Sequence, residues 1–232
     1  MKKPHTLLKN IHQGKDIWVL GAGSSLNYVS KSFFDSSKIV IGVNRICKFF
    51  RCDYVVSKDP VGFDEIRESV KDSKVILSEW KFGDPPSWKH LANPHPCLEP
   101  ALNSLDGDFY YFTHPTKAGQ KPLLEVIGSE DIVVSHSTIT SAIHMAAYMG
   151  AKNIILCGHD CGSLDGEVNV KNYYEKICPD QGDTEGYVHF VSKQIEEHTI
   201  QVKEKIYDVY GVPIYSLNPF VNFGLEGHEY TK

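Results

Sequence analysis

The chain has 232 residues, of which 41% are hydrophobic and 23% charged, and its formal net charge at pH 7 is −5. This length is enough for one domain with a full hydrophobic core, so we expect residues 1–232 to form a single domain. The negative charge argues against a protein that grips a nucleic acid backbone, and no apolar run is long enough to cross a membrane.

The chain also starts without the apolar stretch of a secretory signal, and its six cysteines form no pair of Cys-x-x-Cys units. We therefore expect a cytoplasmic protein with reduced thiols that binds no nucleic acid. Peripheral contact with a membrane and the formation of a homo-oligomer both stay open.

The first predicted strand is the apolar run at 16–20, and it ends in a glycine-rich turn. This turn spans 21–25 with the sequence Gly-Ala-Gly-Ser-Ser, and an amphipathic, helix-like segment over 26–34 follows. Glycines let a backbone approach a ligand closely, a serine can cap a helix, and the free N–H groups of a helix start attract a phosphate. The pattern predicts either a phosphate-binding loop or a tight turn without a ligand, and both interpretations stay open.

The elements that follow continue an alternation of strands and helices. Apolar runs at 38–45, 53–57 and 74–78 predict three more strands, and a helical segment over 63–70 precedes the last of them. This alternation is typical of a parallel sheet covered by helices on both faces. The expected fold class is therefore α/β, with a doubly wound and mostly parallel sheet.

The stretch 81–120 interrupts this alternation. It is rich in proline, glycine, asparagine and histidine, which predicts irregular structure around one strand at 108–113. We interpret it as an irregular, proline-rich insertion that is either a lid over the site or a plain surface excursion.

Regular structure is predicted again from residue 131 onward. The pattern predicts a strand at 131–134, a helix rich in small residues at 142–150 and a strand at 153–157. A long helix over about 188–210 and a closing strand at 212–219 complete the chain.

Polar residues follow five of the predicted strands, at the sheet edge where ligands bind in doubly wound folds. Loop amides and hydroxyls suit phosphates and ribose, an asparagine can bind a base or sugar edge, and a carboxylate can hold ribose hydroxyls or a cation. The residues that we expect to bind substrate are Gly21, Gly23, Ser24, Ser25, Asn27, Asn44, Asp59, Thr140, Ser141 and Asp160.

Candidates for proton transfer are His159, His189 and His198, because histidine changes its protonation state near neutral pH. Tyr173 and Tyr174 either hydrogen-bond a leaving phosphate or pack in the core. No metal site is expected, because a thiol at the end of an apolar strand is more often simply buried.

Two nucleotide-binding motifs are absent from the sequence. No Gly-x-x-x-x-Gly-Lys-Ser/Thr occurs, so the P-loop kinase machinery is missing. The dinucleotide fingerprint fails at its third glycine, where the chain has Leu26, and this disfavours a dehydrogenase.

Several motifs occur in an order that characterises a known family. They are Gly-Ala-Gly-Ser-Ser-Leu at 21–26, Gly-Val-Asn at 42–44, Asp59, and the block from Thr-Ser-Ala at 140–142 to Gly-His-Asp at 158–160. This order resembles a family once known only as a domain of unknown function. Its members include the motility-associated-factor glycosyltransferases and an archaeal 6-hydroxymethyl-7,8-dihydropterin diphosphokinase.

The same order is similar to the bacterial lipooligosaccharide sialyltransferases, which use CMP-activated sialic acid. The resemblance covers most of the chain except the proline-rich middle and implies a Rossmann-like nucleotide-binding fold. In the sialyltransferases an Asn after the first glycine loop, an Asn after the second strand and a Ser of the Thr-Ser motif hold the donor. The resemblance implies these roles for Asn27, Asn44 and Ser141.

The resemblance also implies catalytic roles. Tyrosines after the Gly-x-Asp motif contact the donor phosphate in the sialyltransferases, and Tyr173 and Tyr174 are the nearest matches. The base there is a histidine in a His-Ser-Lys sequence, and the nearest match, His189, is displaced by two residues. His159 and His198 therefore stay open as alternatives.

The leading hypothesis is a glycosyltransferase that uses a nucleotide-activated sugar, such as a CMP-activated sialic-acid-like donor, in glycoconjugate synthesis. Its partners are this donor and an acceptor of unknown identity, and it requires no cofactor because the nucleotide sugar is a substrate. The alternative is a diphosphokinase acting on a pterin-like alcohol, with Mg²⁺ on Asp59 and Asp160. A nucleotide-binding module without turnover is the third hypothesis.

Overall fold

The structure is a computed structural model of the chain. It describes residues 2–58, 66–79, 109–113, 121–161, 164, 167–173 and 184–217, with only the backbone described over 184–192. Asp59, Tyr174 and all of the predicted 81–120 insertion except 109–113 lie outside the described residues.

The described strands form one parallel sheet. In chain order they are β1 (Lys2–Pro4), β2 (Lys15–Leu20), β3 (Ile39–Val43), β4 (Tyr54–Ser57), β5 (Lys74–Glu79), β6 (Phe109–Thr113), β7 (Ala151–Cys157) and β8 (Ile214–Ser216). Across the sheet the order is β1-β6-β5-β4-β3-β2-β7-β8, and every neighbouring pair is parallel. The predicted α/β class with a parallel, Rossmann-like sheet is confirmed.

Apolar side chains cover both faces of β2, an interior strand of the sheet. Ile17 and Val19 of β2 belong to the apolar cluster that includes side chains of the helices. Trp18 and Leu20 belong to a second cluster on the opposite face, because successive residues of a strand point to opposite sides. This explains why β2 reads as a continuous apolar run, as a strand between two covering layers requires.

Two α-helices in the described part of the chain pack against the first of these faces. They are α1 (Thr138–Tyr148) and α2 (Thr184–Tyr210), and every residue of α1 is buried. Helix α1 begins four residues before the predicted start, because the Ser137 hydroxyl caps it by accepting the N–H of Ile139 at 3.3 Å. It ends before Gly150, whose φ of +88° suits a glycine.

The predicted helix at 26–34 was wrong in detail. The chain forms two 3₁₀ turns there, Ser24–Tyr28 and Lys31–Phe33. They are separated because Val29 and Ser30 are both extended, and the Ser30 side chain caps the second turn by accepting the N–H of Ser32. The side chains of Leu26 and Phe34 are nevertheless buried in the second apolar cluster.

The predicted strand at 131–134 was also wrong, since this segment joins no ladder of the described sheet. Its apolar side chains are buried, but two side chains of α1 bind the backbone groups of Val133. The Val133 N–H donates to Nδ1 of His144 at 3.0 Å, and its carbonyl accepts from the Ser141 hydroxyl at 2.8 Å.

Among the described helices, none combines the length and apolarity that a membrane span requires.

Candidate functional site

The strand order creates a topological switch point between β2 and β7. From β2 the chain passes to β3 on one side, whereas β7 flanks β2 on the other side. In open parallel sheets a ligand crevice forms at such a point, outside the carboxyl ends of the strands. The turn at 21–25 follows β2 and the turn at 158–161 follows β7, so both lie at this switch point.

These two turns pack tightly against each other, and their glycines permit it. The Gly23 N–H donates to the carbonyl oxygen of Gly158 at 2.7 Å. A Cβ on Gly21 would lie 2.3 Å from the same oxygen, and a Cβ on Gly23 would lie 2.5 Å from Oδ2 of Asp160. Glycine is therefore required at both positions by packing within the protein, because the turn at 158–161 leaves no room for a Cβ.

The carboxylate of Asp160 lies against the glycine-rich turn and is only 4% exposed. Its Oδ2 accepts the Ser25 N–H at 2.7 Å and the Ser24 hydroxyl at 3.3 Å. Its Oδ1 accepts the Ser25 hydroxyl at 2.6 Å. A backbone N–H of the turn that the sequence assigns to a phosphate is thus bound to a carboxylate of the protein itself.

The segment 167–173 covers the outer side of the same turn. Asn169 forms an antiparallel bridge with Gly23, and the N–H of Val170 donates to the Ala22 carbonyl at 2.8 Å. The N–H of Lys171 donates to Oδ1 of Asn27 at 3.0 Å. Asn27, predicted to bind the donor, therefore also fastens this segment to the turn.

Tyr173 ends this segment and lies in the second apolar cluster. The residue is 5% exposed, and its ring stacks on Phe49 with centroids 6.1 Å apart and an interplanar angle of 25°. The packing gives the ring a structural role, and contact with a donor phosphate stays a prediction. The predicted partner Tyr174 lies outside the described residues.

Asn44 connects three elements at the carboxyl edge. Its Nδ2 donates to Oγ1 of Thr138 at 3.4 Å, and its Oδ1 accepts the Ser57 hydroxyl at 3.0 Å. Its φ of +50° is left-handed, a conformation that asparagine tolerates better than most residues. The side chain is therefore held between β3, β4 and the start of α1.

Lys58 is a charged residue at this edge that is not among the site residues predicted from the sequence. Its Nζ donates to the carbonyl oxygens of Ser135 at 2.8 Å and His136 at 2.6 Å, just before α1. Its own carbonyl accepts the Ser78 hydroxyl. The available signal was its position directly after a strand, at the same edge as Asn44.

The Thr-Ser motif stabilises the entry into α1. The Thr140 hydroxyl donates to the Ser137 carbonyl at 2.9 Å and so accepts the Ser135 hydroxyl at 2.8 Å. Ser141 is fully buried, and its hydroxyl donates to the carbonyl of Val133. Both residues fix the segment that precedes the helix, and donor binding by them stays a prediction.

His159 is held as a neutral hydrogen-bond donor. Its Nε2 lies 2.8 Å from the Thr199 hydroxyl, which donates its own proton to the Ile195 carbonyl at 2.7 Å. The Thr199 hydroxyl oxygen therefore accepts a hydrogen bond from the Nε2–H of His159. Burial lowers the pKa of His159 to about 4, so the ring is neutral at physiological pH and its Nε2 is engaged.

His198 differs from His159 because one ring nitrogen has no partner among the described residues. The residue is 6% exposed, and within this part of the chain no group forms a hydrogen bond with its buried Nδ1. Burial lowers the pKa of His198, and the charge of nearby His136 lowers it further. A neutral imidazole with an open nitrogen can accept a proton, whereas the side chain of His189 lies outside the described residues.

The position of His198 follows from the packing of the two helices. The His144 Nε2 lies 3.1 Å from the hydroxyl oxygen of Tyr210, and both helices lead into parallel strands. At 1.5 Å per residue, His198 lies about 18 Å before Tyr210 along α2, whereas Thr138 lies only about 9 Å before His144 along α1. His198 is therefore beyond the start of α1, at the level of the strand ends.

The described part of the chain contains no group of three His, Cys, Asp or Glu residues arranged to hold a metal ion. The predicted site residues instead form two hydrogen-bonded groups. The first joins the turns after β2 and β7, with Gly21, Gly23, Ser24, Ser25, Asn27 and Asp160. The second surrounds the start of α1, with Asn44, Thr140 and Ser141.

No known protein family matches the chain, and no curated protein resembles it in sequence. Solved structures match it in fold. The sialyltransferase CST-II in complex with a trisaccharide acceptor and CMP superposes with a TM-score of 0.50 at 12% identity, over 94% of this chain and 88% of that one. CstII from Campylobacter jejuni with the substrate analogue CMP-3FNeuAc gives 0.50 at 13% identity over the same shares.

A third structure gives the same result. The monofunctional α-2,3-sialyltransferase Cst-I from Campylobacter jejuni superposes with a TM-score of 0.51 at 15% identity, over 94% of this chain and 82% of that one. The chain therefore has the fold of these sialyltransferases over most of its length.

Proposed function

We propose that the protein is a glycosyltransferase that uses a nucleotide-activated sugar, with a CMP-activated nonulosonic acid as the donor class. The observation that carries the proposal is the switch point between β2 and β7, because the residues predicted to bind the donor lie in and after the turns that follow these two strands and at the start of α1. The shared fold supports it, because solved structures with that fold are sialyltransferases in complex with CMP or a CMP-sugar analogue.

In the proposed reaction the acceptor hydroxyl oxygen attacks the anomeric carbon, and the bond from that carbon to the phosphate oxygen breaks. A histidine takes the hydroxyl proton, and CMP leaves with the electron pair of the broken bond. His189 is the predicted base, and Tyr173 and Tyr174 are the predicted donors of hydrogen bonds to the leaving phosphate. Asn27, Asn44 and Ser141 are proposed to position the donor.

The first experiment measures which nucleotide raises the melting temperature of the protein. CMP, UDP, ATP and NAD are each added with and without Mg²⁺, since a ligand that binds the folded state stabilises it by about 2.7 kcal/mol at a hundred times its Kd. We expect CMP to stabilise the protein without Mg²⁺. Stabilisation only by ATP with Mg²⁺ would favour the diphosphokinase, and stabilisation by NAD alone would contradict the proposal.

The diphosphokinase hypothesis meets an obstacle at Asp160. Both oxygens of this carboxylate accept hydrogen bonds from Ser24 and Ser25, so a Mg²⁺ ion on Asp160 would compete with the groups that hold the turn. A nucleotide-induced shift without turnover on any acceptor would instead favour the binding module.

A further inference from the structure

We propose that Asp160 is the internal anion of the glycine-rich turn: a positioning residue that holds the turn from within and leaves its Ser25 N–H unavailable to the donor's phosphate. From the sequence we expected this carboxylate to bind substrate and the turn to be either a phosphate-binding loop or a tight turn without a ligand. The part of the inference that concerns the phosphate rests on the proposed function. The part that concerns the turn does not.

The first step is the arrangement of hydrogen-bond donors around the carboxylate. One backbone N–H and two hydroxyls, all from Ser24 and Ser25, converge on the two oxygens of Asp160. A phosphate in a glycine-rich turn accepts hydrogen bonds from the same kinds of group. The carboxylate thus occupies the place in the turn that an anion would take.

The second step is that Gly23 makes the room for this carboxylate. A Cβ at this position would lie 2.5 Å from both Cγ and Oδ2 of Asp160. A Gly-x-Gly turn lets another group approach its backbone closely, and here that group is the Asp160 side chain. This accounts for the second glycine without a ligand.

The third step concerns charge. A phosphate on the Ser25 N–H would lie at hydrogen-bond distance from the Asp160 carboxylate, where like charges repel strongly because the site is buried. Direct contact with ribose or a cation is also disfavoured, since the residue is only 4% exposed and its oxygens already accept three hydrogen bonds from the turn. The carboxylate therefore acts on the donor only through the turn.

The fourth step is the reach of the turn. Asn27 follows the turn by two residues, and its Oδ1 accepts the N–H of Lys171, while Gly23 of the turn forms the bridge with Asn169. Holding the turn therefore fixes both a predicted donor-binding side chain and the segment that covers it. Loss of the carboxylate should disturb the donor side of the site and spare the acceptor side.

The test begins with the ligand-free protein and compares D160A and D160N with the wild type. In D160A the Ser25 N–H loses its acceptor, so its hydrogen exchange should accelerate about tenfold or more. In D160N the side-chain oxygen still accepts this N–H, so the acceleration should be smaller. The matched control is D16N, because Asp16 accepts from Asn153 near the start of its strand and should not affect Ser25. Unchanged hydrogen exchange at the Ser25 N–H in both Asp160 variants would overturn the proposal that Asp160 holds the turn.

The second measurement compares the affinities for cytidine and CMP, since only CMP carries the phosphate. We expect D160N to keep the ratio of the two affinities within about twofold of the wild type. A rise of this ratio by about tenfold would show that phosphate competes for the Ser25 N–H and would overturn the proposal. A large, equal loss of both affinities with normal Ser25 exchange would show direct contact with the nucleoside and would overturn it as well.

The third measurement separates positioning from general destabilisation. In turnover assays D160A should raise the KM for the donor about tenfold, leave the KM for the acceptor within about twofold, and be partly rescued by D160N. Equal changes in both KM values would indicate a merely structural role. If no nucleotide binds the wild type, the proposed function fails, while hydrogen exchange still decides whether Asp160 holds the turn.

Discussion

At the scale of single residues, the polar groups at the carboxyl edge of the sheet bind one another. Ser25 and Asp160 are 135 positions apart in the chain, yet the side chain of one holds the backbone of the other. The sequence pattern predicted that both lie at strand ends, because strand ends can be read from local hydrophobicity. It could not predict that they are partners, since pairing depends on the order of strands in space.

The glycine at position 21 offers a residue-scale prediction. Gly21→Ala should destabilise the protein by about 1–3 kcal/mol, because its Cβ would overlap the Gly158 carbonyl oxygen, and it should weaken CMP binding by shifting the turn. The control is Gly14→Ala, because Gly14 has a φ of +74° and a Cβ there would have no atom of the described residues within 4 Å. It should lower stability by about 1 kcal/mol and leave CMP binding unchanged, as urea denaturation and calorimetry can show. Equal effects of the two variants on CMP binding would contradict the view that close packing of the turns at 21–25 and 158–161 shapes the site.

The choice of the base is a second residue-scale prediction. His189→Ala should lower turnover at least about a hundredfold, the usual contribution of a general base, and leave the Kd of CMP unchanged. His198→Ala, on the same helix, is the matched comparison because the Nδ1 of His198 is buried and has no hydrogen-bond partner in the described part of the chain. Turnover that survives in His189→Ala but fails in His198→Ala would transfer the role to His198.

At the scale of secondary-structure elements, the packing of α1 against α2 depends on a buried polar contact. His144 accepts the Val133 N–H through Nδ1 and donates through Nε2 to the Tyr210 hydroxyl. Burial lowers the pKa of His144 to about 3, with a smaller effect from the charge of His5, so this ring is neutral. The small-residue composition of α1 predicted a buried helix, but nothing in its pattern indicated the partner on α2.

This contact leads to a prediction at the same scale. Tyr210→Phe should lower the free energy of unfolding by about 1–2 kcal/mol, because the His144 N–H is left buried without an acceptor. Tyr207→Phe removes a hydroxyl from a residue of the same helix that is 60% exposed, and it should leave stability unchanged. Urea denaturation of both variants measures the difference, and an equal effect would indicate that the hydroxyl of Tyr210 binds water instead.

At the scale of the whole molecule, the parallel sheet could be predicted because β2, β3, β4, β5 and β7 are apolar runs separated by helical or turn segments. Strand β1 was not predicted, since Lys2–Pro4 is short and polar and owes its structure to pairing with β6. The segment 131–134 was predicted as a strand because Ile132, Val133 and Val134 form an apolar, β-branched run. An apolar run does not by itself form a strand. Here the N–H and the carbonyl of Val133 bind side chains of α1 instead of a neighbouring strand.

The stability of the whole molecule should fall in mild acid because of its buried neutral histidines. Above pH 6.5 these rings are neutral in both states. As the pH falls from 6.5 toward the folded pKa of His159, about 4, the unfolded chain binds a proton that the folded chain does not. Each such ring therefore lowers the free energy of unfolding by up to about 1.4 kcal/mol per pH unit in this window.

The variant His159→Gln tests this dependence, because glutamine can still donate to Thr199 but does not titrate. Its free energy of unfolding should fall less steeply than that of the wild type between pH 6 and 4.5, by nearly one proton in the linkage slope. Urea denaturation at several pH values gives this slope. Parallel slopes for the two proteins would mean that His159 binds its proton in the folded state as well.

The interior position of β2, between β3 and β7, has a consequence for biosynthesis. Residues of this strand emerge early, but one of its two edges waits for β7, so that Ile17 pairs with Ile154 only after most of the chain has been made. Until then a nascent polypeptide presents an unpaired apolar edge, the kind of surface that chaperones bind and that promotes aggregation. Ribosome-bound fragments that stop before Ala151 should therefore be chaperone clients, and those that extend past Cys157 should be released from them.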